Sequence, residues 1–261
     1  LKESVIEEGV GNNYLIQHTT GSGKSLSIGW LSHLLSSLYR NTDDTNRMFD
    51  SIIVVTDRRI LDKQIRDTIK QLEQTKGVVN PVDVDSQQLK EYLEVGKTII
   101  VTTVQKFPVI SESISKLKSK NFGVIIDEVH SSQSGETSKH LKMSLSKSVL
   151  DEYQEGEDRD DLTDYEQKIL TQIISRGKQN HISYFGFSGT PKNKTLEIFG
   201  RKNQNGQFES FDTYSMEQSI YEGFTLDVLQ NYTTYERYFK LNKKIEEDKE
   251  LPSSRVKKML V

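Results

Sequence analysis

His18-Thr-Thr-Gly-Ser-Gly-Lys-Ser25 lies between two segments of different period, and that placement decides the fold. Ahead of it Asn13-Tyr-Leu-Ile-Gln17 reads as a short buried strand. Behind it the stretch Ser25 to Tyr39 carries Leu26, Ile28, Trp30, Leu31, Leu34, Leu35 and Leu38, a helical spacing. A glycine-rich turn between strand and helix is where a phosphate-binding loop must sit. Gly21 and Gly23 let the backbone turn its amide groups inward around an anion, and the helix N-terminus adds its positive end. Lys24 is placed to reach β- and γ-phosphates, and the Ser25 hydroxyl to ligate Mg2+. The general pattern G-x-x-x-x-G-K-[ST] is met except at its first glycine, which is His18 here. The plainer alternative is a glycine-rich turn capping a core helix, with Lys24 in solvent.

Working outward, four further apolar runs repeat the strand-then-helix rhythm. Ser51-Ile-Ile-Val-Val-Thr56, Thr98-Ile-Ile-Val-Thr-Thr103, Phe122-Gly-Val-Ile-Ile126 and His181-Ile-Ser-Tyr-Phe-Gly-Phe-Ser188 are continuous runs, as expected of parallel strands covered on both faces. Between them Ile60, Leu61, Ile65, Ile69 and Leu72 mark one amphipathic helix, residues Ser86 to Val95 another, and Pro108 sits near the start of a third. Arg40 to Asp50 and Asn80 to Asp85 read as breaks. Successive β–α units argue for an α/β fold: a doubly wound, mostly parallel sheet with helices on both faces.

Composition sets the outer bounds. The 261 residues contain no cysteine, which removes disulfides and thiolate metal sites. No apolar run approaches the roughly 20 residues needed to span a bilayer. The chain begins Leu-Lys-Glu-Ser without an initiator Met, which suggests a piece of something longer. The net charge of −3 means that any nucleic acid would meet a local basic surface rather than a generally basic domain. Residues 151–164 hold eight acidic residues and one arginine, read as a solvated insertion, and 241–261 read as a charged linker after a main domain spanning 1–240. The five histidines have no metal-ligand spacing. The aromatics Tyr221, Phe224, Tyr232, Tyr235, Tyr238 and Phe239 are read as strand and core packing rather than as base-stacking platforms.

In a parallel sheet ligands gather at the carboxyl ends of strands, and the polar motifs of this chain fall there. Asp127 follows Val124-Ile-Ile126, a place where a carboxylate holds Mg2+ directly or through water, and Glu128 beside it is suited to activating an attacking water. Capping of the next helix is the structural alternative for that pair. His130 is poised either toward the next strand end or as an ordinary imidazole. Ser188-Gly189-Thr190-Pro191 offers hydroxyls and a tight turn suited to sensing the phosphate state, or His130. Arg58 and Arg59 after one strand, and Thr103, Gln105 and Lys106 after another, suit contacts to a nucleic-acid backbone without base reading; surface arginines and helix caps explain them equally well.

Taken in order, Thr19-Thr20-Gly21-Ser22-Gly23-Lys24-Ser25, Thr56-Asp-Arg58, Thr102-Thr-Val-Gln105, Asp127-Glu-Val-His130 and Ser188-Gly-Thr-Pro191 resemble the motifs of superfamily 2 helicases and translocases. Longer strings, Ile16 to Ser25, Asp127 to Gln133, Phe185 to Lys194 and Asn231 to Tyr235, resemble the motor (R) subunit of type I restriction enzymes, in which the histidine at position 18 is usual. The resemblance implies a RecA-like P-loop NTPase domain with ATP and Mg2+ as cofactors and double-stranded DNA as partner. It further implies methyltransferase and specificity subunits, a second motor domain in cis, and a bacterial or archaeal cytoplasmic setting. Lys24, Asp127, Glu128 and His130 take the catalytic roles, and Thr20 to Ser25 with Ser188, Gly189 and Thr190 the nucleotide-binding ones. Another superfamily 2 helicase or remodeller motor is the alternative. A small-molecule kinase leaves Glu128 unexplained, and a non-catalytic nucleotide-gated module leaves Lys24 and Glu128 unneeded. The family's nuclease, arginine finger and adenine-reading segment are not among these residues, so weak ATP binding and very slow turnover are expected of this chain alone.

Overall fold

A computed structural model describes residues 1–41, 45–56, 59–73, 75–82, 86–127 and 173–227. The chain divides into two units, Leu1–Ser215 and Met216–Val261.

The first unit opens with helix α1 (Lys2–Glu8) and strand β1 (Asn13–His18), followed by helix α2 (Lys24–Ser36). The series continues with β2 (Ser51–Thr56), α3 (Arg59–Gln71), β3 (Val79–Pro81), α4 (Ser86–Val95), β4 (Ile99–Thr103), α5 (Phe107–Lys116) and β5 (Phe122–Ile126). After residues outside the described set come β6 (Ile182–Ser188), α6 (Asn193–Phe199), β7 (Arg201–Lys202), β8 (Phe208–Glu209) and β9 (Asp212–Tyr214). In the second unit α7 spans Met216–Tyr221.

Seven strands form one sheet in the order β3-β4-β2-β5-β6-β1-β9, and every neighbouring pair is parallel. The expected doubly wound α/β architecture is thus the observed one. All residues of β2, β5 and β6 are buried, because helices cover both faces, and this is why those strands read as unbroken apolar runs. Two cores result. Leu15, Ile53, Val55, Phe107, Ile110 and Val124 belong to one, and Tyr14, Ile16, Ile28, Leu35, Ile52 and Ile125 to the other. At Gly123, opposite Ile52 in register, an added Cβ would stand 2.7 Å from Ile52 Cδ1, so glycine lets that isoleucine lie across β5.

One edge strand departs from the sequence reading: the stretch expected to be a break contains β3. At the other edge the short alternating stretches from Phe208 onward suggest extra strands, and β9 there extends the sheet beyond β1. Helix α2 buries Ile28, Leu31 and Leu35 but leaves Leu26 and Leu34 exposed and Trp30 61% exposed, because its apolar residues surround the helix while only one side meets the sheet. Tyr221, the last residue of the short α7, and Phe224 just after it are exposed rather than packed. The other aromatics of that group, the acidic stretch 151–164 and the linker 241–261 lie outside the described residues.

A clasp fixes the β9 edge. The Arg201 guanidinium grips both carboxylate oxygens of Glu8 at 2.6 and 2.7 Å and lies over the edge-to-face pair of Tyr14 and Phe211, 4.8 and 4.7 Å from their ring centres. Tyr14 also donates to Glu8 at 3.1 Å, and burial, reinforced by Glu8, pushes its phenol up to about 12. One residue thereby ties α1 and β1 to the stretch preceding β9.

Candidate functional site

β1, β6 and β5 are consecutive in the sheet and parallel, so their carboxyl ends lie side by side. The glycine-rich turn leaves β1, Ser188 ends β6, and Asp127 follows β5. Strands are about 4.8 Å apart, so the ends of β1 and β5 are about 10 Å apart with β6 between them. The Lys24 side chain bridges that gap. Its Nζ lies 3.4 Å from Asp127 Oδ1, with the two side chains 11% and 5% exposed. Burial holds the Lys24 ammonium below its ordinary range, while Asp127 opposes the shift.

The turn has the shape of an anion cradle. Gly21 and Gly23 have φ of +82° and +90°, the left-handed region that side chains disfavour. Nothing stands within 4 Å of where a Cβ would sit on either, so the space beside the turn is open. Gly23 precedes α2 and accepts the Leu26 and Ser27 N–H groups at 2.9 and 3.2 Å, while no side chain caps the helix start. An uncapped helix N-terminus behind two open glycines and a buried ammonium fits a phosphate group.

The other expected residues distribute as follows. Thr20 is exposed, Ser22 buried and Ser25 half-buried; at the end of β6 Ser188 is fully buried, Gly189 half-buried and Thr190 exposed. Gln17 is the register partner of Ser188, which brings the β6 turn alongside the phosphate loop. Glu128 and His130 lie outside the described residues, as does Arg58. Arg59 opens α3. Thr103 ends β4, Gln105 is exposed in the following 3-10 turn, and Lys106 donates from Nζ to the Val82 carbonyl at 3.1 Å, so its ammonium already braces a neighbouring loop. Sequence reasoning gave no role to the His18 side chain or to Tyr214, both of which line the loop; the exception at the first glycine position was the available signal.

Residues 3–150 match the family model described as SWI2/SNF2 ATPase. The chain belongs to the SWI2/SNF2 ATPase family. This SWI2/SNF2 ATPase domain is therefore a nucleotide-binding, ATP-dependent hydrolase module. It is 27% identical over 234 residues to the type I restriction enzyme SsaAORF53P endonuclease subunit of Staphylococcus saprophyticus, covering 85% of this chain and 20% of that protein. It is 26% identical over 245 residues to the SauCOLORF180P endonuclease subunit of Staphylococcus aureus strain COL, covering 88% and 21%. The chain thus spans about a fifth of the length of these curated relatives. A solved structure of a nuclease-deletion mutant of the Type ISP restriction-modification enzyme LlaGI, in complex with a DNA substrate mimic, aligns with 94% of this chain and 22% of its own at 12% identity and a TM-score of 0.49. No helix among the described residues is long and apolar enough to cross a membrane.

Proposed function

We propose that this SWI2/SNF2 ATPase domain is the first RecA-like motor module of a type I restriction endonuclease R subunit, working on double-stranded DNA in the bacterial or archaeal cytoplasm. The observation that carries the reading is the buried Lys24–Asp127 pair held across β6 beside an open glycine cradle. A turn that merely capped a core helix would have no use for an ammonium desolvated at this cost.

In this reading Lys24 and the amides of Thr20 to Ser25 hold the β- and γ-phosphates of ATP, and Ser25 and Asp127 hold Mg2+. The bound metal supplies charge neutralisation at the transferring phosphoryl group. Glu128 orients and deprotonates the attacking water, and His130 with Ser188, Gly189 and Thr190 relays the phosphate state to the neighbouring strand ends. Arg58, Arg59, Thr103, Gln105 and Lys106 are assigned the contacts to the DNA backbone. The motor domain runs over 1–240, with 241–261 leading toward a second motor domain in cis. Methyltransferase and specificity subunits complete the assembly, and cleavage belongs to a nuclease domain elsewhere in the subunit. The supports are the identity to endonuclease subunits over most of the chain and the position of the motifs at the carboxyl ends of five adjacent parallel strands, β4, β2, β5, β6 and β1.

The test is calorimetric Mg·ATP binding to this chain and to Lys24→Ala, followed by turnover with and without duplex DNA. Binding that requires Lys24, with turnover lowered by the 10³ to 10⁵ that a missing arginine finger costs, is expected. Fast, DNA-stimulated hydrolysis by these residues alone would contradict the half-site reading.

A further inference from the structure

The first position of the phosphate loop, glycine in the general pattern, is His18, and its side chain is fully engaged. The ring lies on the α2 side of β1, 7% exposed. Nδ1 is 2.7 Å from Ser22 Oγ in the turn, and Nε2 is 3.1 Å from Ser27 Oγ in α2. Ser22 gives its single hydroxyl proton to the Thr19 carbonyl, so the ring must donate from Nδ1 to Ser22. In the neutral ring Nε2 then accepts, and Ser27 is its donor. Burial, opposed by the Thr19 backbone and assisted by the Lys24 ammonium, holds the imidazole below its usual pKa and favours that neutral form.

The ring is also supported from the side. Its centre is 5.0 Å from that of Tyr214, tilted by 45°, and Thr19 N–H donates to the Tyr214 carbonyl at 3.1 Å. Those contacts belong to β9, the edge strand pairing His18 with Tyr214 in register. The imidazole therefore joins three elements: the turn through Ser22, the helix through Ser27 and the sheet edge through Tyr214. A turn with two glycines at positive φ has high conformational freedom when nothing restrains it, and ordering it on ligand binding weakens the affinity.

The geometry points to His18 as a positioning residue that holds the phosphate loop in its anion-accepting shape before nucleotide arrives, a strut between turn and helix that glycine at this position cannot supply. The inference rests on the phosphate-binding reading of the loop. It makes a counterintuitive demand: completing the general motif by His18→Gly must impair the site rather than perfect it.

The experiment uses the 261-residue chain. Amide hydrogen exchange of residues 19–25 is measured without nucleotide, and Mg·ATP affinity by calorimetry, in wild type, His18→Gly, His18→Asn and Ser27→Ala. His18→Gly should speed exchange in the loop while β2 and β5 amides stay protected, and should weaken Mg·ATP roughly ten-fold, the scale of two neutral hydrogen bonds. His18→Asn keeps a donor where Nδ1 stood and should recover most of both effects. Ser27→Ala removes only the helix anchor, tests the strut if His18→Gly does not fold, and should show a smaller change in the same direction. Unchanged loop exchange in His18→Gly, or in Ser27→Ala if that variant replaces it, would overturn the inference. If Mg·ATP binding still depended on Lys24 in that case, the phosphate reading would stand. Failure of the wild-type chain to bind Mg·ATP would instead sink that reading and the nucleotide half of this one, leaving exchange to decide whether His18 orders the loop.

Discussion

Exchanging the Lys24 ammonium for an apolar end of similar length, Lys24→Met, tests the electrostatics of the site without any ligand. The ammonium lies 3.4 Å from Asp127 Oδ1, and both side chains are nearly out of solvent. At an effective dielectric near 20, the attraction at that distance is about 5 kcal/mol. Asp127 has a cheaper escape, since a carboxyl of ordinary pKa near 4 takes a proton at pH 7 for about 4 kcal/mol, and this sets the ceiling on the loss. Relief of the Lys24 desolvation, which is the larger influence on that ammonium, lowers the loss to about 3 kcal/mol. The protonation route becomes cheaper by about 1.4 kcal/mol for each unit of pH, so at pH 5 the loss should be no more than about 1.5 kcal/mol. Urea denaturation of wild type, Lys24→Met and Lys24→Met/Asp127→Asn at both pH values reads these quantities, and the double variant should regain most of the stability at pH 7. A single variant losing under about 1 kcal/mol at pH 7, or losing equally at both pH values, would refute a charge-compensated buried pair.

Three further outcomes follow from the geometry. Gly23→Ala at φ +90° should cost about 1–2 kcal/mol in thermal unfolding, yet abolish Mg·ATP binding by calorimetry, because the methyl enters the open cradle. Arg201 holds Glu8 below the ordinary carboxylate value of 4.5, so this contact stabilises the fold above that pH and its contribution is lost as pH falls through the lower folded value. Glu8→Gln should therefore cost no more than about 1 kcal/mol at pH 7 by urea unfolding, the pair being about one-third exposed, with wild type and variant converging in acid. NMR titration should find His18 ionising below 6.5, chiefly from burial, and Lys24→Met should move it upward by removing a nearby cation; an unmoved value would count against their proximity.

The central sheet was legible because burial on both faces leaves a simple trace. Ile52 to Val55, Ile99 to Val101 and Val124 to Ile126 are β-branched without interruption, as parallel strands between helix layers must be. The edges left weaker traces. β3 contains Asn80 and Pro81, turn formers that an edge position tolerates and that read as a break, while β9, Asp-Thr-Tyr, shows only within a short alternating stretch and pairs with β1 alone. The ligand-facing half of the site was legible for a different reason: Gly21, Gly23, Lys24 and Asp127 have requirements that few other residues meet. The supporting half was not, since Ser22, Ser27 and Tyr214 are unremarkable in sequence and acquire their roles only when β9 docks beside His18.

The pairing of Lys24 with Asp127 also explains how one site keeps two opposite charges buried and still serves a charged ligand. Each would be costly alone in this setting, and together they are compensated across β6. In the proposed reaction the two separate, Lys24 toward phosphate oxygens and Asp127 toward a divalent cation. Each thus exchanges one opposite charge for another and neither is left bare. A loop that had to order itself at the same moment would add its conformational cost to that exchange. A loop already held by His18 between Ser22 and Ser27 leaves the charge exchange as the main event of binding, so salt and pH should act on nucleotide affinity chiefly through Lys24 and Asp127 rather than through folding of the turn.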